Sequence, residues 1–206
     1  MKTTLRLFAT LFILLFAVNA MSQIPRYSLD IQNGQIVSPY RITFDIVLTH
    51  TDATQFEFAG AQYFLRIPLS GFGTFSIGTG TNSAYQFDSS GGHPISDFPQ
   101  SFWPRNPITQ ISGDFVELGL ASNILPGPGN GLILAQGDSQ LVMRMKLTSS
   151  TPMNMSNANF TVNDSCDYHD FYGTTTRVYA YIGTDVSPIT RCIDHHVSLL
   201  FPVAQS

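Results

Sequence analysis

The sequence predicts an all-β fold, a two-layer antiparallel β-sandwich of about nine strands joined by Greek-key or jelly-roll connections. Three observations carry that expectation. Side chains alternate apolar and polar with a period of two in many short segments, Gly- and Pro-rich turns separate those segments, and no amphipathic helix pattern follows residue 20.

Before the first strand, Lys2 and Arg6 flank the start of a largely apolar run from Leu7 to Val18 that ends in Val18-Asn19-Ala20. That is the pattern of a secretory signal peptide, because a membrane-spanning helix needs ~20 apolar residues. The reading is a leader over 1–20 and a single domain over 21–206, exported to the cell exterior or surface or held in the periplasm.

Tyr27 to Val37 is the first strand candidate. In Tyr40 to Leu48 the apolar residues fall on the even positions Ile42, Phe44, Ile46 and Leu48, which predicts a half-buried strand. Phe56 to Ile67 changes phase, even at Phe56 and Phe58 but odd at Ala61, Tyr63, Leu65 and Ile67. A β-bulge at Ala59-Gly60 would return both sets to one face. Phe72 to Ile77, Phe115 to Ala121 and Gly131 to Ala135 follow, then Leu141 to Leu147 with its odd positions apolar. Asn159 to Val162, Arg177 to Ile182 and Val197 to Phe201 complete the series. The longest irregular stretch runs from Asn82 to Ile108, and a loop of that length in a compact domain is commonly functional.

The full chain of 206 residues has 10 basic and 14 acidic side chains, and removal of the leader takes away Lys2 and Arg6 for a net charge of −6. That balance argues against nucleic acid as a partner. No second apolar run approaches spanning length, so no membrane span is expected in the mature chain.

Three segments in order, Phe44-Asp45-Ile46-Val47-Leu48, then Phe58-Ala59-Gly60-Ala61-Gln62-Tyr63-Phe64-Leu65, then Leu141 through Thr148, resemble the cohesin-like β-sandwich modules of secreted bacterial proteins. Pro126-Gly127-Pro128-Gly129-Asn130-Gly131 before a strand, and Thr176-Arg177-Val178-Tyr179-Ala180-Tyr181, look like the cohesin-like domains of surface proteins of the Bacteroidetes and Ignavibacteria type. The resemblance spans roughly residues 26 to 190. It implies recognition of a protein or glycan at the cell surface.

No catalytic set is read. A Gly-x-Ser-x-Gly elbow is missing, and Gly71 to Ser76 reads as a strand-edge turn rather than a phosphate loop. His50 and His93 are expected as surface or loop residues, and Glu57 and Glu117 as solvent-face residues of alternating strands. The function expected is therefore a non-catalytic secreted or surface recognition module. The alternatives are a carbohydrate-binding module and a small secreted glycoside-active or metal-dependent enzyme; a purely structural surface subunit is a further reading.

Aromatic rings offer rigid area for stacking on sugars or packing on a partner, so the ligand-binding candidates are Phe98, Phe102 and Trp103 in the long stretch and Tyr168 and Tyr172 further on. Asp164, Asp167 and Asp170 could offer oxygen ligands to calcium but lack EF-hand spacing. Cys166 and Cys192, the two cysteines, are expected as a disulfide whose closed loop contributes roughly 3.5 kcal/mol in the chain-entropy model. The competing reading is zinc held by Cys166, His169, Cys192 and His195, since Cys-x-x-His occurs twice. No cofactor is expected, with calcium at the acidic residues or zinc at the Cys-x-x-His pairs as the alternatives.

Overall fold

The computed structural model describes residues 24–69, 85–90, 93–105, 108–153, 161–162, 176–182 and 185–189. In chain order the strands are β1 (Tyr27–Ser38), β2 (Arg41–His50), β3 (Phe56–Pro68), β4 (Tyr85–Phe87), β5 (Ser89–Ser90), β6 (His93–Pro94), β7 (Ile108–Ser112) and β8 (Phe115–Ala121). Then come β9 (Leu132–Leu134), β10 (Ser139–Thr148), β11 (Thr161–Val162), β12 (Arg177–Ile182) and β13 (Asp185–Ile189). A single turn of 3-10 helix, Gln100–Phe102, is the helical element among the described residues. None of these is a helix long and apolar enough to cross a membrane. The segment read as a leader, the strand candidates at 72–77 and 197–201, the cysteines and the acidic segment lie outside the described residues.

Two antiparallel sheets make the sandwich. The four-stranded sheet is ordered β1-β2-β10-β4; the seven-stranded sheet runs β13-β12-β3-β8-β7, with β9 and β11 also paired to β3. Between them lies one core, with Leu29, Ile31, Ile42, Phe44, Ile46 and Leu48 from the first sheet against Phe56, Phe58, Tyr63, Leu65, Leu118 and Val178 from the second.

The bulge expected in β3 is present. Tyr179 pairs with Gly60 and Ala180 with Phe58, so Ala59 is the extra residue. Phe56, Phe58, Ala61, Tyr63, Leu65 and Ile67 all face the core as a result. A second bulge, in β10 between Leu141 and Met143, breaks the simple odd-position alternation read there and buries Val142 beside Met143.

β2 departs from the half-buried strand expected. Its even positions are core, but Thr43, Asp45 and Val47 on the other face are also buried. The reason is its central place: β1 and β10 flank it, and their side chains close over Asp45. Arg144 donates to both carboxylate oxygens, at 2.6 and 2.8 Å, and Asn33 Nδ2 donates at 2.8 Å. Asn33 reaches this position from a left-handed conformation, φ 52°, where the β1 register shifts.

The described parts of the stretch from Asn82 to Ile108 hold more order than its composition suggests. Beyond β4, the Asp88 N–H donates to the Arg144 carbonyl, Arg144 N–H to Ile95, and Asp97 N–H to Leu141, which covers the edge of β10. β7 falls at its end, and β13 contains Pro188, a residue that suits the edge position β13 occupies.

Candidate functional site

Alternation fixes what β3, β8 and β12 show on the outer side of the large sheet. With Tyr63, Leu65 and Ile67 turned inward, Gln62, Phe64 and Arg66 face out; with Val116, Leu118 and Leu120 inward, Phe115, Glu117 and Gly119 face out. From β12, Val178 and Ala180 are core and Arg177 and Tyr179 are outward.

The register then places three residues in one row, with Ile108 opposite Gly119 and Gly119 opposite Phe64. Gly119 leaves space that the Phe64 ring occupies, for a Cβ there would stand 2.9 Å from Phe64 Cε1. In the next rows Arg66 donates through Nε and Nη2 to Glu117 Oε1, at 3.3 and 3.2 Å, while its guanidinium lies 5.8 Å from the Phe115 ring centroid. Glu117 is 4 % exposed, whereas Ile108 is 62 % and Phe115 38 % exposed. Apolar side chains around a charged pair are thus open to solvent on a sheet face that would otherwise be polar.

The other half of that face is covered. After β8 the chain continues along β3, with Ser122 N–H donating to Ala61 O at 2.8 Å and Leu125 N–H to Ala59 O at 3.1 Å. It then leaves as Pro126-Gly127-Pro128-Gly129-Asn130-Gly131 and returns as β9. Gly127 and Gly129 take φ of 80° and 84° to make this excursion. Glu57 Oε1 accepts the N–H groups of Gly129 at 2.5 Å and Gly131 at 2.9 Å, and the Tyr181 hydroxyl donates to Leu125 O.

Glu57 and Glu117 are therefore not solvent-face residues. They are buried because each carboxylate satisfies donors that fold over it, an Arg in one case and loop amides in the other. His50 is likewise 2 % exposed rather than a surface residue. Its Nδ1 lies 2.9 Å from Leu134 O and its Nε2 3.2 Å from Asp52 Oδ1. Partial burial opposes ionisation of Asp52, but hydrogen bonds from the backbone of Arg26 and Thr54 and from His50 outweigh it and hold that carboxyl below its ordinary value.

Of the aromatic residues singled out from the sequence, Phe98 and Phe102 are core. They are 3 % and 4 % exposed, and their rings pack on Phe58 at 5.0 and 5.5 Å between centroids. The 3-10 turn drives them between the sheets, so neither ring is open to a ligand. Trp103 is half-buried against the same core, its indole N–H donating to Phe98 O at 2.7 Å, with the exposed His93 ring 6.5 Å away. Tyr168, Tyr172, Cys166, Cys192, His169 and His195 lie outside the described residues.

No family model matches the chain, and no curated protein matches it. The residues of the open face, Ile108, Phe64, Arg66 and Phe115, were not among the sequence candidates. Their signal is an apolar residue on the polar phase of an alternating strand, as with Phe115 ahead of Glu117 and Gly119.

Proposed function

We propose that this chain is a non-catalytic recognition module that meets its partner through the open half of the seven-stranded sheet's outer face. The observation that carries the reading is the exposed pair Ile108 and Phe115, with the half-buried Phe64 between them and Arg66 beside the Phe115 ring, because an aromatic side chain packed beside an arginine is a common element of binding hot spots. Among the described residues, four buried side chains of the kinds a hydrolase draws on are engaged in holding the fold. Asp45 binds Arg144, Glu117 binds Arg66, Glu57 binds loop amides, and His50 is bonded to Leu134 O. The leader pattern at 1–20 supports an exported location, and the resemblance to cohesin-like modules supports a surface partner. In such a compartment Cys166 and Cys192 are read as a disulfide, with zinc at Cys166, His169, Cys192 and His195 as the alternative that intact mass under non-reducing conditions discriminates.

The test is capture from native cell surfaces, run beside a glycan array. Phe115→Ala and Arg66→Ala should each weaken capture by roughly tenfold or more while thermal unfolding shows a folded domain. Capture unchanged in both variants would remove this face from consideration. Turnover of a glycoside that a single carboxylate substitution abolishes would overturn the module reading altogether.

Carbohydrate binding remains the second reading, and the half-buried Trp103 beside His93 is the observation that favours it. Glycan binding lost in Trp103→Ala but kept in Phe115→Ala would place it first.

A further inference from the structure

The loop over Glu57 contains the dipeptide Asn130-Gly131. Asn-Gly is the pair most prone to deamidation, because glycine carries no side chain to hinder attack by its own nitrogen. The Gly131 nitrogen, once it loses its proton, attacks Asn130 Cγ. A new N–Cγ bond closes a succinimide as the Cγ–Nδ2 bond breaks and ammonia leaves. Water then opens either carbonyl, to aspartate or isoaspartate.

Both reacting groups are occupied here. Gly131 N–H donates to Glu57 Oε1 at 2.9 Å, and Asn130 Nδ2 donates to Pro126 O at 2.7 Å and Gly127 O at 3.3 Å. The carboxylate is fixed by burial and by a second amide, that of Gly129 at 2.5 Å. Gly131 is also packed closely, since a Cβ there would lie 2.5 Å from Glu57 Cγ and 2.7 Å from Phe58 O, and attack by its nitrogen requires the Gly131 N–H to part from Glu57.

We propose that Asn130 is a latent modification site, and that the Glu57 carboxylate holds it shut while the loop is docked. Asn130 itself is exposed, so water reaches it whenever the loop opens. Conversion is one-way. An acid at 130 has no N–H for the Pro126 and Gly127 carbonyls and sets a negative charge against them, and isoaspartate adds a backbone atom to a loop whose turns are already set. The loop would not redock, and half of the outer sheet face would lose its cover.

Isoaspartate at position 130 can be followed by peptide mass spectrometry in the full chain at mildly alkaline pH, natively folded and in urea. Loss of two charge-assisted hydrogen bonds should make the unfolded chain deamidate at this site roughly tenfold faster or more. Glu57→Gln, which keeps the shape but removes the charge, should fall between the two under native conditions. Equal rates in the folded and unfolded chain would overturn the proposal. So would a rate in Glu57→Gln below that of the unaltered protein, because the carboxylate would then be drawing the proton from Gly131 and promoting the reaction. Should Glu57→Gln fold poorly, the unaltered chain with and without urea still tests whether the docked loop protects Asn130, and Glu57→Asp, which keeps the charge but withdraws it from the loop amides, tests the carboxylate: a rate equal to that of the unaltered folded protein would overturn its role.

Discussion

Two buried polar side chains illustrate opposite uses of the same interior. Asp45 is 2 % exposed yet satisfied on both oxygens, by Arg144 and Asn33. Asp45→Ala should lower stability by about 2–4 kcal/mol, a figure reduced for the partial exposure of Arg144, because a buried donor set loses its acceptor. Replacing both Asp45 and Arg144 with leucine should recover much of that loss, and a double-mutant cycle in urea measures it. Tyr63 is the contrary case. Its hydroxyl is buried with no hydrogen-bond partner among the described residues, and burial, together with the nearby Tyr27, pushes its ionisation well above the ordinary range. Tyr63→Phe should therefore stabilise the protein by about 1 kcal/mol, seen as a higher urea midpoint with an unchanged slope.

Among the elements, β3 and its neighbours show what glycine contributes to the candidate site. A Cβ at Gly60 would come within 2.6 Å of Asn123 O, at the point where the chain after β8 crosses the bulge. Gly60→Ala should cost about 1–3 kcal/mol because that backbone cannot give way cheaply. Gly119→Ala differs in kind, since the atom it meets is the far edge of the Phe64 ring, which can rotate aside. Its expected signature is altered partner capture with near-normal stability. The bulge itself was legible in the sequence, because a phase change in apolar residues beside Ala59-Gly60 has one simple structural remedy. The strands β8 and β12 were legible at both ends for a similar reason, their alternation being unbroken. The short strands β4, β5 and β6 were not, having two or three residues each and too few side chains to reveal a period. β7 was missed because its five residues lack a clean alternation, and β13 because a proline speaks against a strand unless its edge position is known. The candidate site was less legible than the fold. Phe98 and Phe102 looked free in a long loop, and only tertiary packing shows the turn that buries them. Glu57 and Glu117 looked solvent-facing by alternation, which cannot foresee a loop or an arginine closing over an outer face.

At the scale of the whole molecule, acid should loosen the end of the sandwich where His50, Asp52 and Arg26 meet. Asp52 is held below its ordinary value in the folded state, so its stabilising contribution is complete at neutral pH and fades as pH falls through the folded value. Asp52→Asn should flatten that part of the acid limb, and urea midpoints taken from neutral pH down through the carboxylate range measure the difference. A slope identical to that of the unaltered protein would show that Asp52 plays no part.

The position of β3 has a consequence for how the chain reaches its folded state. β3 is bonded to β8, β9, β11 and β12, all of which follow it in sequence, and β12 begins only at Arg177. The β1–β2 hairpin can close from adjacent residues, but the large sheet cannot be completed until distant segments have found one strand. Loop closure over such separations must precede the contacts that reward it, which places folding in the slow range typical of sandwiches, milliseconds to seconds. During that interval β3 presents the apolar residues Phe56, Phe58, Tyr63 and Leu65 without partners, and it is this strand, rather than either sheet edge, that sets the aggregation risk of the newly made chain.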